Sequence, residues 1–290
     1  MARPDPPPRT YDPARRRPLT PRRAPTRRPT RRHRSCARRR ALGLAHRRCP
    51  RSRRARRRLA AVTLFSQSQK PAEPLPDDLV AALPGRFLVF EGPDGSGKST
   101  QLRRFTASCE VSGIHPLEVR EPGGTLIGES IRSLLLDHGD EDIDPRCEML
   151  LYMASRAQLV ERVIRPALAA GRLVVADRFI SSTIAYQGYA GGVPIDDVTA
   201  AAHIAARGAI PTQVIVFDVD PDTAATRLSP LLDRMEAKGR AFHERVREGY
   251  HRQIEAEPNR YIQVDASRPP DDVFNAFTTE LTTRLKELAR

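Results

Sequence analysis

From residue 85 onward, two kinds of hydrophobic pattern take turns along the chain. Short runs rich in β-branched and aromatic residues fall at Phe87–Glu91, Leu117–Arg120, Leu173–Asp177, Val214–Val219 and Tyr261–Val264, and each reads as a buried strand. Longer amphipathic stretches separate them: Ser99–Ser112, Ile127–Leu136, Pro145–Ala170, Ile195–Ala206 and Phe242–Ala256, with a last helix over about Pro270–Leu288. Strands alternating with helices predict an α/β fold, here a five-stranded parallel sheet flanked by helices on both faces. Crossovers in such a sheet are right-handed, and ligands bind beyond the carboxyl ends of the strands. The turns at those carboxyl ends are therefore where chemistry is expected.

Ahead of residue 85 the pattern is absent, and the charge balance explains why. The 290 residues carry a net charge of +14. Residues 1–60 hold 23 arginines, no lysine and two acids, Asp5 and Asp12, a local charge of +21. The remainder has 26 basic against 33 acidic residues, or −7. An Arg/Pro-rich tail with almost no large apolar side chains cannot bury enough surface to offset its ordering entropy, so disorder is expected over 1–60. Three readings compete for it: a polyanion-binding arm, an organelle transit peptide, or upstream sequence joined by a misassigned translation start. The third is favoured here. The next methionine, Met149, lies inside the expected core, so a start near Val62 or Val80 requires a non-AUG codon. Residues 61–84 read as a linker ending at Pro84-Gly85, and 85–290 as one catalytic domain.

Four cysteines, Cys36, Cys49, Cys109 and Cys147, form no CxxC pair and no zinc-ligand spacing with histidine, which predicts free thiols in a reducing compartment. No run is apolar and long enough to span a bilayer, and no apolar signal core follows the basic opening. A cytoplasmic protein without membrane partners is expected.

The strongest motif comes directly after the first strand. Gly92-Pro93-Asp94-Gly95-Ser96-Gly97-Lys98-Ser99 fits G-x-x-x-x-G-K-[ST] and runs on into Thr100 and a helix. Glycines let the backbone curl so that its N–H groups face phosphate oxygens, and the helix N-terminus adds unpaired donors and a favourable dipole. Lys98 would reach the β- and γ-phosphates of ATP, and the Ser99 hydroxyl would ligate Mg²⁺.

Later strands end in further charge. Arg120-Glu121-Pro122-Gly123-Gly124-Thr125 is a turn beside an arginine that could grip phosphate bidentately. Tyr152 and Arg156, four apart on the next helix, put an aromatic face and a guanidinium fork on one side, a set suited to a planar base. Asp177-Arg178 emerges from the third strand, where two charges need partners or a function. Asp177 could hold the magnesium water shell, and Arg178 could lie between donor and acceptor phosphates. After the fourth strand, Arg227 and Leu231-Leu232-Asp233-Arg234-Met235-Glu236 suit a short lid that closes over phosphates. Ordinary structural readings stand beside each: a surface arginine in a turn, a packed Tyr with a snorkelling Arg, a structural ion pair, a solvated helix end.

The motifs FEGPDGSGKST, REPGGT, LLYMASRAQL, DRFISSTIAYQG and LDRMEAKGRAF occur in one order. With them, residues 86–290 resemble the thymidylate kinases among the P-loop nucleoside monophosphate kinases. The resemblance implies transfer of the ATP γ-phosphate to dTMP, with Mg²⁺, in a homodimer. It implies that Gly92 to Thr100 cradle the ATP phosphates and that Asp94 faces the acceptor sugar and the magnesium shell. Arg120 and Arg178 would hold the acceptor phosphate. Tyr152, where the family often has Phe, would stack on thymine, and Arg156 would bond it. Ser182, Thr183 and Gln187 would lie against the base, and Tyr186 under the deoxyribose. The phosphate loop carries no arginine at Gly95 and Ser96, as in the subclass whose lid supplies the cation. This lid offers Arg227 and Arg234 and is leaner than is usual there; Arg234 joins Lys98, Asp94, Asp177 and Arg178 as a candidate catalytic residue. Rival readings are another deoxynucleoside or nucleotide kinase, a non-catalytic relative with a lean lid, and a polyanion-binding protein acting through the tail, in which case alone nucleic acid would be a partner. A GTPase is disfavoured because no N-K-x-D motif occurs.

Overall fold

Phe87–Glu91 (β1) forms the middle of the sheet, with all five of its residues buried. A strand covered on both faces needs apolar side chains in both directions, which is why this one reads as a continuous hydrophobic run. The computed structural model describes residues 71–137, 142–228 and 231–288, all within one unit spanning Gln67–Arg290. The tail 1–60 and its competing readings lie outside the described residues.

The other strands are Leu117–Arg120 (β2), Val174–Asp177 (β3), Gln213–Asp218 (β4) and Tyr261–Asp265 (β5). Every neighbouring pair is parallel, in the order β2-β3-β1-β4-β5. The chain leaves β1 toward one edge and later crosses to the other, so β1 sits at the reversal point where open parallel sheets bind ligands.

Alternate residues of β1 face opposite layers. Phe87 and Val89 join a core with Val174, Val216, Leu159, Val246 and Tyr250. Leu88 and Phe90 join a second core with Phe105, Phe217 and Phe277. In the latter the Phe90 ring lies 5.6–5.7 Å, centroid to centroid, from the other three. The first layer is covered by the helices Pro145–Leu159 (α4) and Arg240–Ala256 (α9). The second is covered by Lys98–Val111 (α2) and Pro270–Glu287 (α10).

The structure departs from the sequence pattern in four places. The stretch read as the linker contains a helix, Asp77–Ala82 (α1), whose flanking and internal leucines Leu75, Leu79 and Leu83 are buried in the second core. Prolines 71, 74, 76 and 84 suggest a linker, yet Pro76 is the N-cap, where a missing N–H costs nothing. The expected single helix Pro145–Ala170 contains a wide π-type turn at Val160–Ile164 before Arg165–Ala169 (α5). Residues after Arg178 are helical, as Ile180–Thr183 (α6) and a π-type segment at Ile184–Ala190. A seven-residue helix, Pro221–Arg227 (α8), comes after β4, capped by the Asp220 carboxylate. The remaining helices, Leu126–Leu136 (α3) and Ile195–Ala206 (α7), match expectation closely.

Candidate active site

The carboxyl ends of β1, β2 and β3 deliver the turns that build the site. Gly92 has φ +141°, and a Cβ there would sit 2.5 Å from Phe217 O. The backbone therefore passes β4 only because the residue has no side chain. Gly97, at φ +80°, is the N-cap of α2, and the free N–H groups of the first turn come after it. Ser96 Oγ is buried without a hydrogen-bond partner among the described residues. Lys98 is only 7% exposed, and its ammonium bonds the Asp177 carboxylate at the end of β3. Burial and the nearby Arg178 lower the Lys98 pKa, and Asp177 opposes them.

This set suits a nucleoside triphosphate carrying Mg²⁺: curled backbone, an orphaned hydroxyl, a buried cation, and hard oxygens on Ser99 and Asp177. Among the described residues no cluster of three His, Cys, Asp or Glu side chains could hold a metal alone. Mg²⁺ would thus draw most of its ligands from phosphate oxygens and water, its usual habit.

One cavity of about 360 Å³ gathers the expected acceptor residues. Asp94, Lys98, Ser99, Arg120, Tyr152, Arg156, Asp177, Arg178, Ser182, Thr183, Tyr186 and Gln187 all line it. Five segments converge there: the phosphate loop, the turn after β2, α4, the end of β3, and α6 with the π-type segment.

Arg178 is the most constrained residue of the set. Its φ is +68°, uncommon for a residue with a Cβ and costing on the order of 1–3 kcal/mol. The strain is held by contacts. Its backbone N–H donates to Phe90 O at 3.0 Å. One terminal guanidinium nitrogen donates to Gly92 O at 3.1 Å and Ser182 Oγ at 3.0 Å, and the other bonds the Asp94 carboxylate. The guanidinium lies 5.1 Å from the centre of the Tyr186 ring, whose hydroxyl donates to Asp94 at 2.8 Å. Burial works to raise the Asp94 pKa, but Arg178, Tyr186 and Lys98 outweigh it and hold the carboxyl below its ordinary range.

Behind Arg178 stands Glu91, fully buried at the end of β1. It accepts from the backbone N–H of Phe179 at 2.8 Å and of Ser182 at 3.1 Å, from Ser182 Oγ at 2.5 Å and from the Tyr250 hydroxyl at 3.0 Å. Burial pushes its carboxyl up, while Arg178, Ser182, Phe179 and Tyr250 pull it back down.

The base side is built around a second buried pair. Arg156, 1% exposed, donates to Glu121 through Nε at 2.8 Å and to Thr183 Oγ1 at 3.0 Å, and stacks 5.0 Å above the Phe179 ring. Glu121 Oε1 is buried without a hydrogen-bond partner among the described residues. Burial pushes the Glu121 carboxyl up to about 7, against the pull of Arg156. A group raised on folding contributes stability that is full below its ordinary value of 4.5 and lost as pH rises through about 7. The melting temperature should therefore fall more between pH 5 and 8 in the wild type than in Glu121→Gln. Equal slopes in the two proteins would remove this assignment.

Gln187, 1% exposed, donates to Glu148 at 2.7 Å. Arg234 does not line the cavity that holds the phosphate-loop lysine. It instead bonds the buried Glu148 at 2.5 Å and Leu135 O at 2.7 Å, and Lys238 joins it on Glu148 at 3.2 Å. Arg227 turns the other way, donating to Ala266 O beyond β5 at 2.9 Å. Arg120 pairs with Glu129 at 3.0 Å.

Sequence reading missed Glu91, Glu121, Glu148 and Tyr250, as well as Arg132, which lines the cavity from α3 and donates to Pro122 O at 3.0 Å. Glu91 and Glu121 each stand inside a recognised motif, as an acid at the end of a strand, and that was the available signal.

Known proteins resemble this chain in sequence and in fold. The family described as thymidylate kinase matches residues 90–277. The thymidylate kinase of Exiguobacterium sp. is 43% identical over 205 residues, 70% of this chain and 97% of that protein. That of Solidesulfovibrio magneticus is 43% identical over 199 residues, 66% of this chain and 95% of that protein. The crystal structure of thymidylate kinase from Ehrlichia chaffeensis superposes with a TM-score of 0.52 at 28% identity, covering 71% of this chain and 98% of that one. With a family match over residues 90–277, relatives 43% identical over about two thirds of the chain or more, and a structural neighbour of the same family, this chain belongs to the thymidylate kinase family.

Proposed function

We propose that the protein transfers the γ-phosphate of ATP to dTMP, giving dTDP, and that the cavity beside the phosphate loop is the acceptor site. The observation that carries this reading is the lining of that cavity. A buried guanidinium (Arg156) and an aromatic ring (Tyr152) line it together with the cations Arg178, Arg120, Arg132 and Lys98. A planar base with carbonyl oxygens suits the first pair, and an anionic phosphate suits the cluster of cations. A neutral nucleoside would have little use for so many arginines.

The protein's own residues position and neutralise, as in-line phosphoryl transfer requires. Gly92, Pro93, Gly95, Ser96, Gly97 and Thr100 shape the loop that wraps the donor phosphates. Lys98 exchanges Asp177 for phosphate oxygens. Ser99 and Asp177 would hold Mg²⁺, which when bound neutralises charge on the phosphates. Arg178 stands between the two substrates, and Tyr186 lies under the deoxyribose. Ser182, Thr183 and Gln187 line the base end. Arg234 pins the 233–236 segment to α3 and α4 over the acceptor cavity, and its release from Glu148 would be needed for it to reach the transferring group.

Homodimerisation is supported by exposed apolar side chains on α3 and α4, namely Leu126, Ile127, Leu134 and Leu150. A cytoplasmic setting is compatible with free Cys109 and Cys147; among the described residues no helix is long and apolar enough to cross a membrane. Nucleic acid enters only as a partner of the Arg-rich tail.

The test is ATP consumption with Mg²⁺ and the acceptors dTMP, dUMP, dCMP, UMP, AMP and thymidine. dTMP should be used fastest. dUMP should fall about 10–200-fold in kcat/KM, because one methyl in an apolar pocket is worth only about 1–3 kcal/mol. The remaining acceptors should be near background. Preference for thymidine or another monophosphate would overturn the acceptor assignment and leave the family intact.

A further inference from the structure

We infer that Tyr250 and Glu91 are positioning residues, which hold the Arg178 guanidinium on the acceptor phosphate through two hydroxyl relays. The inference rests on the reading of Arg178 as a phosphate ligand. Proton accounting supports it. One terminal nitrogen of Arg178 has two hydrogens and three acceptors within reach, Ser182 Oγ at 3.0 Å, Gly92 O at 3.1 Å and the Tyr250 hydroxyl at 3.3 Å, so one hydrogen is shared between two of them. Each hydroxyl has a single hydrogen. Ser182 Oγ and the Tyr250 hydroxyl both stand within reach of Glu91 Oε2, at 2.5 Å and 3.0 Å. The two oxygens are also 2.9 Å apart, but with both hydrogens committed to the carboxylate neither has one left for the other.

The result is a closed circuit. The positive guanidinium donates to two hydroxyls, and both hydroxyls donate to one buried negative carboxylate. Chains of this kind polarise one another in a low-dielectric interior. Glu91 also accepts the backbone N–H groups of Phe179 and Ser182, so it fixes the strained turn as well as the side chain. Tyr250, 1% exposed, lies on α9, which leads out of the 231–239 segment above the cavity. It brings to the circuit an arm from outside the β3–α6 turn, and it does not itself line the acceptor cavity. A tyrosine is needed there: phenylalanine would fill the same space and break one relay.

The experiment compares dTMP with thymidine, ligands that differ by the phosphate alone. Equilibrium binding of each is measured on full-length wild type, Tyr250→Phe and Ser182→Ala, along with KM for dTMP, kcat and the melting temperature. In Tyr250→Phe, dTMP affinity should fall about tenfold while thymidine affinity stays within about twofold. The preference for dTMP over thymidine should shrink by the difference, and KM for dTMP should rise more than kcat falls. Ser182 also lines the cavity, so in Ser182→Ala only the ratio of the two affinities is read; cutting the other relay should shrink the same preference, and this keeps the test alive if Tyr250→Phe folds poorly. Equal losses for both ligands would mean that the network is merely structural, and the inference falls. An unchanged dTMP preference in both variants also overturns it. A wild type that binds thymidine as well as dTMP would instead condemn the phosphate site itself, an outcome read before any variant is made.

Discussion

Replacing Lys98 with alanine should lower kcat for dTMP phosphorylation by about 10²–10³-fold or more, the usual cost of removing one pre-aimed donor from developing charge. The electrostatics explain why the loss cannot be made up locally. Lys98 is buried, and its ammonium is bonded to Asp177 with Asp94 nearby. Without it, two carboxylates face a polyphosphate across a site of reduced dielectric, and both binding and transfer oppose that repulsion. Arg178 is a neighbouring cation, but it is committed to Asp94, Gly92 O and Ser182. Lys98→Arg retains charge yet replaces a compact ammonium with a bulkier planar fork at a largely buried position, so it should restore little. Steady-state kinetics with saturating ATP and dTMP decide the matter. Turnover within threefold of wild type in Lys98→Ala would refute the role.

The second large effect belongs to Arg156→Ala. Two losses should appear together. Losing Arg156 removes the contacts that hold the Glu121 carboxyl down to about 7, so it rises further and takes up a proton, and the buried groups left without their hydrogen bonds cost about 1–3 kcal/mol of stability. Removing the donor that faces the base end should also lower kcat/KM for dTMP by about 10²-fold or more, because a buried acceptor would be left unsatisfied. Stability and recognition can be separated. In Arg156→Met combined with Glu121→Gln, the buried carboxyl is gone along with its partner, so much of the lost melting temperature should return. dTMP turnover should stay low. Recovery of both would mean that Arg156 serves only the fold, and wild-type turnover in Arg156→Ala would end its assignment to the base.

The lid behaves unlike its sequence reading. Of the two arginines it offers, Arg234 lies on Glu148 and Arg227 on Ala266 O. Glu148 is a buried acid that gathers Gln187, Arg234 and Lys238, from separate parts of the chain. An acid with that many donors is a docking point for the segment, and it accounts for the side chain of Arg234 turning from the phosphate loop toward α4.

Local pattern alone was enough for the framework. Short apolar runs marked five strands, amphipathic stretches marked the main helices, and together they implied the parallel sheet that is found. The phosphate loop was equally legible, because its eight residues are contiguous, so the curled backbone and the Lys98 and Ser99 side chains are read as one string. Other features took their meaning from packing. Helix α1 hid among prolines, because six residues show too little periodicity and its three leucines acquire a role only within the second core. Arg156 could be singled out by its spacing from Tyr152, but not its partner Glu121, 35 residues away. Tyr250 and Glu91 are 159 residues apart and were invisible as a pair. One cause underlies the last two cases. Periodicity reports which face of an element is buried, whereas the partner of a buried charge is chosen by desolvation after the elements pack, and any residue brought within about 3 Å can serve.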